Sequence, residues 1–353
     1  MARLRRSDTS EPGVTRRRRG RGFSYTRPDG KALTDKDAIK RIRGLAIPPA
    51  WTDVWICPWS NGHIQAIGTD AAGRRQYRYH DQWRLDRDRK KFDRTVEFAA
   101  ILPKLRTRVD RDLGQEGLRR ERVLAAVVRL LDVGLFRIGG EEYADEHETF
   151  GAASLHRDHV KIRDGTMVFT YQAKGSIERS VEVRDDAVRD VVTSLRRRRI
   201  GGPNLFAYKR GRRWIEIHAH DVNDYIKDVT GEEFSAKDFR TWSGTVLAAT
   251  ALAEVEPAAD SRVRRREVTE AVAKVAGQLG NTPAVSRSAY IDPRVIDRFE
   301  EGKTIRSSLK PSPKLEKVQG RLKHDGRAYR AVEKAVVDLV DDEPPREDRN
   351  GTK

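Results

Sequence analysis

Glu121-Arg122-Val123-Leu124-Ala125-Ala126-Val127-Val128-Arg129-Leu130-Leu131-Asp132-Val133-Gly134, followed by Leu135-Phe136-Arg137-Ile138-Gly139-Gly140, is where the chain changes period. Leu124, Val127, Val128 and Leu131 recur at the three- and four-residue spacing of a helix with one apolar face, and Gly134 marks its stop. Before this stretch the signals are those of short strands. Val54-Trp55-Ile56 leads into a turn ending at Asn61-Gly62, and Ile64-Gln65-Ala66-Ile67 follows with alternation. A second turn, Asp70-Ala71-Ala72-Gly73, precedes Arg74-Arg75-Gln76-Tyr77-Arg78-Tyr79, a strand expected to place basic and aromatic side chains on alternate faces. Residues 25–90 therefore read as a small, mainly antiparallel β domain.

After Gly134 the pattern is mostly helical. Val222, Tyr225, Ile226 and Val229 form one stripe, and Val268, Val272, Val275 and Leu279 form another that ends at Gly280. Ser235-Ala236-Lys237-Asp238 matches a capping box, which puts Phe239, Arg240 and Trp242 in the first turns of a helix. Val160 to Val183 interrupts this with β signals, turning at Asp164-Gly165 and at Lys174-Gly175-Ser176. The fold class is α+β: an amino-terminal β domain, then a mainly helical domain over 91–310 with a three-stranded insert. Residues 1–24, with Arg16 to Arg19 in a row, read as a disordered basic arm. Residues 311–353 read as a charged carboxy-terminal extension with one apolar stripe, Val332, Ala335, Val336 and Leu339.

Composition narrows the partner. The chain has 353 residues and a formal net charge of +17, with 37% apolar and 35% charged residues. A core fits within those proportions, and the excess of cations points to a polyanion. Cys57 is the single cysteine, so neither an internal disulfide nor a cysteine zinc cluster is expected. Met1 to Val14 lacks an apolar run, and no stretch approaches the roughly 20 apolar residues of a membrane span. The expectation is an intracellular protein in the cytoplasm, associated with the nucleoid and acting as a monomer.

No phosphate-cradling P-loop, dinucleotide glycine motif or HExxH is present. His156 and His159, and His218 and His220, are closely spaced pairs without an evident third ligand, and they read as loop or strand histidines. No cofactor and no metal site is expected, so chemistry on nucleic acid must run on side chains. Attack on a phosphodiester without a metal needs an ionised nucleophile, cations on the phosphate oxygens and an acid for the leaving alkoxide. Guanidinium groups suit the oxygens because they are planar, permanently charged and bidentate.

Arg137 lies after a helix stop among glycines, Arg240 lies on a capped helix, and Lys174 tops a hairpin. Tyr290 ends the stretch Leu279-Gly280-Asn281-Thr282-Pro283-Ala284-Val285-Ser286-Arg287-Ser288-Ala289-Tyr290. A free tyrosine phenol ionises near pH 10, so neighbouring guanidinium groups would help it to attack. Taken singly, each of these residues has an ordinary structural explanation: an ion-paired arginine, a hairpin turn, a packed tyrosine.

In order and wording the set resembles the poxvirus-type branch of type IB DNA topoisomerases found in some bacteria. The matching text is Leu45-Ala46-Ile47-Pro48-Pro49-Ala50-Trp51, Gly73-Arg74-Arg75-Gln76-Tyr77, Phe136-Arg137-Ile138-Gly139, Lys237-Asp238-Phe239-Arg240-Thr241 and Leu279 to Tyr290. It spans about residue 25 to about residue 300. The resemblance implies an enzyme that relaxes supercoiled duplex DNA through a 3′-phosphotyrosyl intermediate, without metal or ATP, its two domains closing around the duplex as a clamp. It implies Arg137 and Arg240 on the nonbridging oxygens, Lys174 as the acid for the 5′ oxygen and Tyr290 as nucleophile. Asn281 stands where the family usually has histidine; an amide can donate to phosphate but cannot shuttle a proton. DNA contacts are expected from Arg74, Arg75, Gln76, Tyr77, Tyr79 and Lys237, with a charge-blunted sheet edge as the lesser alternative for the 74–79 strand.

Nine residues of straight helix would separate Asn281 from Tyr290 by about 14 Å, so a shared phosphate requires a bend. Pro283 is well placed as a first helical residue. Two alternatives stay open. Tyrosine recombinases share the Arg-Lys-Arg-Tyr chemistry but typically carry histidine where this chain has Lys237, and they lack the β domain. An architectural DNA-binding protein would explain the charge and leave the residue set unexplained.

Overall fold

The computed structural model describes residues 3–140, 148–231, 233–308 and 326–341. The chain forms two compact units, Met1–Asp93 and Arg94–Lys353.

The first unit is an antiparallel sheet of β1 (Val14–Arg19), β2 (Gly22–Thr26), β3 (Thr52–Ile56), β4 (Ile64–Thr69) and β5 (Arg75–Tyr79), in the order β2-β1-β3-β4-β5. Helix α1 (Lys36–Gly44) adds Ile42 to a core of Val14, Val54, Ile56 and Ala66. The three expected strands are present. The expected disordered arm is corrected: Arg16 to Arg19 lie in β1, paired on one side with β2 and at Val14–Thr15 with β3. The reason is that alternation hides inside the arginine run. Val14 is buried, and Arg16 reaches over Phe23 while its guanidinium donates to the carbonyls of Ile47, Pro48 and Trp51. Further upstream, Arg5 bridges to Gly62 and its guanidinium lies 3.6 Å from the Trp59 ring centroid.

The long helix α2 (Asp81–Leu113) begins in the first unit and continues into the second. At the centre of the second unit lies α3 (Arg120–Gly134), buried from Val123 to Leu131. It packs on α4 (Asp186–Arg196), α5 (Ala219–Thr230) and α6 (Ala236–Ala253), and on the insert β6 (Val160–Arg163), β7 (Thr166–Ala173) and β8 (Ile177–Val183) through β8. A hairpin of β9 (Ala207–Arg210) and β10 (Arg213–Glu216), outside the sequence expectations, adds a second small sheet. Then come α7 (Ser261–Leu279), α8 (Pro283–Ala289), α9 (Pro293–Glu300) and α10 (Arg327–Asp341). Among the described residues, no helix is long and apolar enough to cross a membrane.

The reading of 311–353 as an extension also needs correction over α10. Tyr329, Val332, Ala335, Val336 and Val340 are buried in the core of the second unit, with α10 packed on α6 and α9. Arg106 joins it there, donating at 2.8 Å to Asp132 and at 2.7 Å to Glu333, which also accepts from the indole of Trp242 at 2.9 Å. Burial opposes the Arg106 charge, but the two carboxylates outweigh it and hold its pKa above the ordinary arginine value.

Candidate active site

The site forms where several elements end. Helix α3 stops at Gly134, and the next residue, Leu135, takes the left-handed conformation at φ 55°, so the chain turns and its carbonyl faces inward. Arg137 follows. Its carbonyl accepts from the Ala152 N–H at 2.7 Å, and the Ile138 carbonyl accepts from Ala153 at 2.8 Å. Gly139 makes this crossing possible: a Cβ there would lie 2.8 Å from the Gly151 Cα.

Arg240 comes from the first turns of α6, behind the expected capping box. Asp238 accepts from the Ser235 N–H at 2.8 Å and from its hydroxyl at 3.0 Å. Asp238 also pairs with Arg94 at 2.7 Å, so Arg240 is left without that carboxylate. Arg240 is buried and donates instead to the carbonyls of Leu135 and of Leu279, the latter at 2.8 Å.

Helix α7 ends at Gly280 in the left-handed conformation, with φ 61°. Thr282 caps the next helix by accepting from Val285, and Pro283 occupies its first turn as expected. Asn281 therefore sits in the turn between α7 and α8, with its Oδ1 bonded to Arg137, which also donates to the Gly280 carbonyl at 2.9 Å. Asn281 Nδ2 is buried with no partner among the described residues. Tyr290 leaves the helix as the cap of α8, at φ −130° and ψ −14°. The helix thus begins only at Pro283, after Asn281, and the chain leaves it at Tyr290, where the Arg240 guanidinium stands 5.1 Å from the centre of the Tyr290 ring.

Helix α6 fixes the tyrosine backbone from the other side. The Tyr290 carbonyl accepts from the Thr245 hydroxyl at 3.4 Å, and that hydroxyl accepts from the Asp292 N–H at 3.1 Å. A Cβ on Gly244 would fall 2.6 Å from the Tyr290 carbonyl oxygen and 3.0 Å from its Cβ. Only glycine admits this approach.

A third arginine, Arg179 of β8, completes the cluster. It donates to the carbonyls of Leu279 at 2.6 Å, Gln278 at 2.9 Å and Leu135 at 3.4 Å. Among the described residues, no carboxylate lies within ion-pairing distance of Arg137, Arg179 or Arg240. Burial and then the Arg137 charge push the Arg240 pKa down to about 10, against a pull from Tyr290, and Arg179 adds to the lowering. Burial likewise lowers Arg179, with Arg137 contributing. Burial raises the phenol of Tyr171, against the pull of Arg179, Arg137 and Arg240. Mutually repelling, partly desolvated cations with no anionic partner among the described residues make a pocket that a phosphate would relieve.

Arg137, Arg240, Asn281 and Tyr290 are thus brought together. Lys174 is not: it is exposed at the tip between β7 and β8, beside Gly175 at φ 83°, and makes no hydrogen bond or ion pair to them. Sequence reasoning missed Arg179 and Gly244. For Arg179 a signal existed, because period two from the buried Val183 through Val181 places it on the inner face of its strand.

On β5, Arg75, Tyr77 and Tyr79 are exposed on one face, the two rings stacked with centroids 6.0 Å apart. The expected separation of basic from aromatic side chains is therefore incomplete, since Arg75 shares the tyrosine face and Arg78 takes the other. Gln76 and Arg74 both bond Asp70, at 2.9 and 3.1 Å. Lys237 is exposed at the start of α6. Asp158 brings a carboxylate to His156 and His159, with ligand atoms within 4.8 Å of one another. The two imidazoles are parallel to within 8°, and Nδ1 of His159 accepts from the His156 N–H at 3.1 Å.

The catalytic-core pattern of eukaryotic DNA topoisomerase I matches residues 80–311, and the amino-terminal domain of bacterial DNA topoisomerase IB matches residues 22–70. The chain belongs to the type IB DNA topoisomerases. DNA topoisomerase 1B of Acanthamoeba polyphaga mimivirus is 32% identical over 297 residues, covering 82% of this chain and 88% of the relative. DNA topoisomerase 1B of vaccinia virus (strain Copenhagen) is 20% identical over 77% of this chain and 88% of its own length. DNA topoisomerase 1 of Mycosarcoma maydis is 23% identical over 71% of this chain but only 27% of the relative, a much longer protein. As a type IB topoisomerase the protein is an isomerase acting on DNA, and this excludes the architectural and recombinase alternatives.

Proposed function

We propose that this type IB topoisomerase relaxes supercoiled duplex DNA by transesterification at a single phosphodiester, with Tyr290 as nucleophile. The Tyr290 oxygen attacks phosphorus, the bond from phosphorus to the 5′ oxygen breaks, and a 3′-phosphotyrosyl bond forms. The phenol gives up its proton to solvent, and Lys174 supplies one to the departing 5′ oxygen. Arg137 and Arg240 hold the nonbridging oxygens, and Asn281 donates its amide to one of them. Religation reverses each step. One ester is exchanged for another, so neither ATP nor a metal ion is required.

The observation that carries this reading is the Arg240 guanidinium beside the Tyr290 ring, in a cluster of cations without a carboxylate partner among the described residues. Lys174 would have to come in with the hairpin, whose tip is glycine-bearing and exposed. On the amino-terminal unit, Arg74, Arg75, Gln76, Tyr77 and Tyr79 are proposed to bind the same duplex, joined by Lys237 on the catalytic unit, so that the two units act as a clamp. The enzyme is proposed to work as a monomer on the nucleoid of a bacterial cytoplasm, in keeping with its bacterial-type amino-terminal domain and net charge of +17.

The test is to quench the protein with denaturant on a nicked or supercoiled duplex, in EDTA and without ATP. A covalent protein–DNA adduct is expected, together with plasmid relaxation, and both should vanish in Tyr290→Phe. Plasmid relaxation that survives in Tyr290→Phe would overturn the assignment.

A further inference from the structure

The three arginines of the site share an unusual set of partners. Arg179 and Arg240 both donate to the Leu279 carbonyl, at 2.6 and 2.8 Å, and both donate to the Leu135 carbonyl. Arg179 continues to the Gln278 carbonyl at 2.9 Å, and Arg137 to that of Gly280 at 2.9 Å. The acceptors are the last carbonyls of α7 and the left-handed residue after α3. A helix carboxyl end carries a partial negative charge of roughly half an electron, so it orients guanidinium groups without a full countercharge. A carboxylate in the same place would hold the arginines as well, but it would cancel a charge and repel an incoming phosphate.

Arg179, like Arg240, donates to backbone carbonyls, but it comes from the inner face of β8 rather than from α6, the helix that touches Tyr290. Its guanidinium also abuts Gly280, where a Cβ would lie 2.8 Å from Arg179 Nη1. It thus ties the turn that carries Asn281 to the turn that carries Arg137.

We propose that Arg179 is a positioning residue for the cleavage reaction: by sharing the Leu279 and Leu135 carbonyls with Arg240, it sets the angle at which Arg240 meets the phosphate and Tyr290. The inference rests on the assignment of Arg240 and Tyr290 made above. Arg179 itself need not touch DNA, so its loss should slow cleavage and leave duplex affinity in place.

The experiment is single-turnover adduct formation with excess full-length protein on a nicked duplex, alongside duplex affinity and thermal melting. Arg179→Ala is expected to lower the cleavage rate about 10- to 100-fold, the cost of a misplacement of up to about 1 Å, with affinity changed less than about threefold. Arg179→Lys keeps the charge but cannot span the carbonyls as a fork, so it should recover only part of the rate. The deciding comparison repeats both substitutions in an Arg240→Lys background, where the shared carbonyls have already lost the second guanidinium. There the Arg179 effect should shrink to less than about threefold, because the pair acts as a unit.

An equal loss in both backgrounds, or no loss in the first, overturns the proposal. Should Arg179→Ala fail to fold, Arg179→Lys in the two backgrounds makes the same comparison. An unsubstituted protein that forms no adduct would instead refute the active-site reading, which keeps the two failures distinguishable.

Discussion

Gly244 offers a sharp test of how the site is held. In an exposed helix interior, Gly→Ala stabilises by about 1 kcal/mol, because alanine surrenders less backbone entropy. At Gly244 the added Cβ would meet the Tyr290 carbonyl oxygen at 2.6 Å, where carbon–oxygen contacts ordinarily close no nearer than about 3.3 Å. Something must yield by about 0.7 Å, the difference between those two distances. Helix α6 is buried along nearly its whole length, whereas Tyr290 is a half-buried residue capping the carboxyl end of the seven-residue α8. The tyrosine is therefore the part that moves.

Overpacking costs about 1–3 kcal/mol, so against the propensity gain the net destabilisation of Gly244→Ala should not exceed about 2 kcal/mol. Catalysis should suffer far more. A misplacement near 1 Å costs about 100-fold, and about 0.7 Å should lower single-turnover adduct formation about 10- to 100-fold. The assay is the denaturant quench on a nicked duplex, with melting measured in parallel. Adduct formation within about threefold of the unsubstituted rate would refute the claim that this helix face positions the nucleophile.

Other expectations follow from neighbouring features. Removing Arg106 by Arg106→Met leaves Asp132 and Glu333 buried without their cation and should cost about 3–5 kcal/mol in urea unfolding, against under 1 kcal/mol for a surface arginine such as Arg266→Met. Asp112 is buried and would be raised by that burial, but bonds from Arg108 and Tyr225 and the Arg108 charge lower its pKa instead. Its contribution to stability is therefore full above the ordinary carboxylate pKa of about 4 and is lost as pH falls through the lowered folded value. Asp112→Asn should lose stability at neutral pH and flatten the acid limb of a pH–melting curve; an unchanged limb would contradict this. Asn281→His should introduce a cleavage-rate dependence between about pH 5 and 8 that the asparagine enzyme lacks, read by pH-jump quenching.

Much of this protein is legible in its sequence. Period-two alternation marks β3, β4 and β5, and three-and-four spacing marks α3, α5 and α7, because one-sided burial imposes those periods on any chain. Charge identifies a polyanion partner, and Arg137, Arg240, Asn281 and Tyr290 can be named from their local wording.

Propensity misleads where a long-range partner overrides it. The arginine run at 16–19 looks unstructured because its stabilising contacts, Phe23 and the carbonyls at 47, 48 and 51, come from other segments. The apolar stripe of α10 shows in the sequence, but nothing local reveals that Glu333 will sit buried against Arg106, more than two hundred positions away.

The site divides in the same way. The sequence alone determined which side chains have the chemistry for phosphoryl transfer, since charge and nucleophilicity belong to residue types. Only the tertiary structure decided how they are held: by the carbonyl ends of two helices, by Arg179 reaching them from a strand, and by the absence of a Cβ at Gly244. Backbone carbonyls look alike at every position of a sequence, and only folding determines which are left unpaired and where they point.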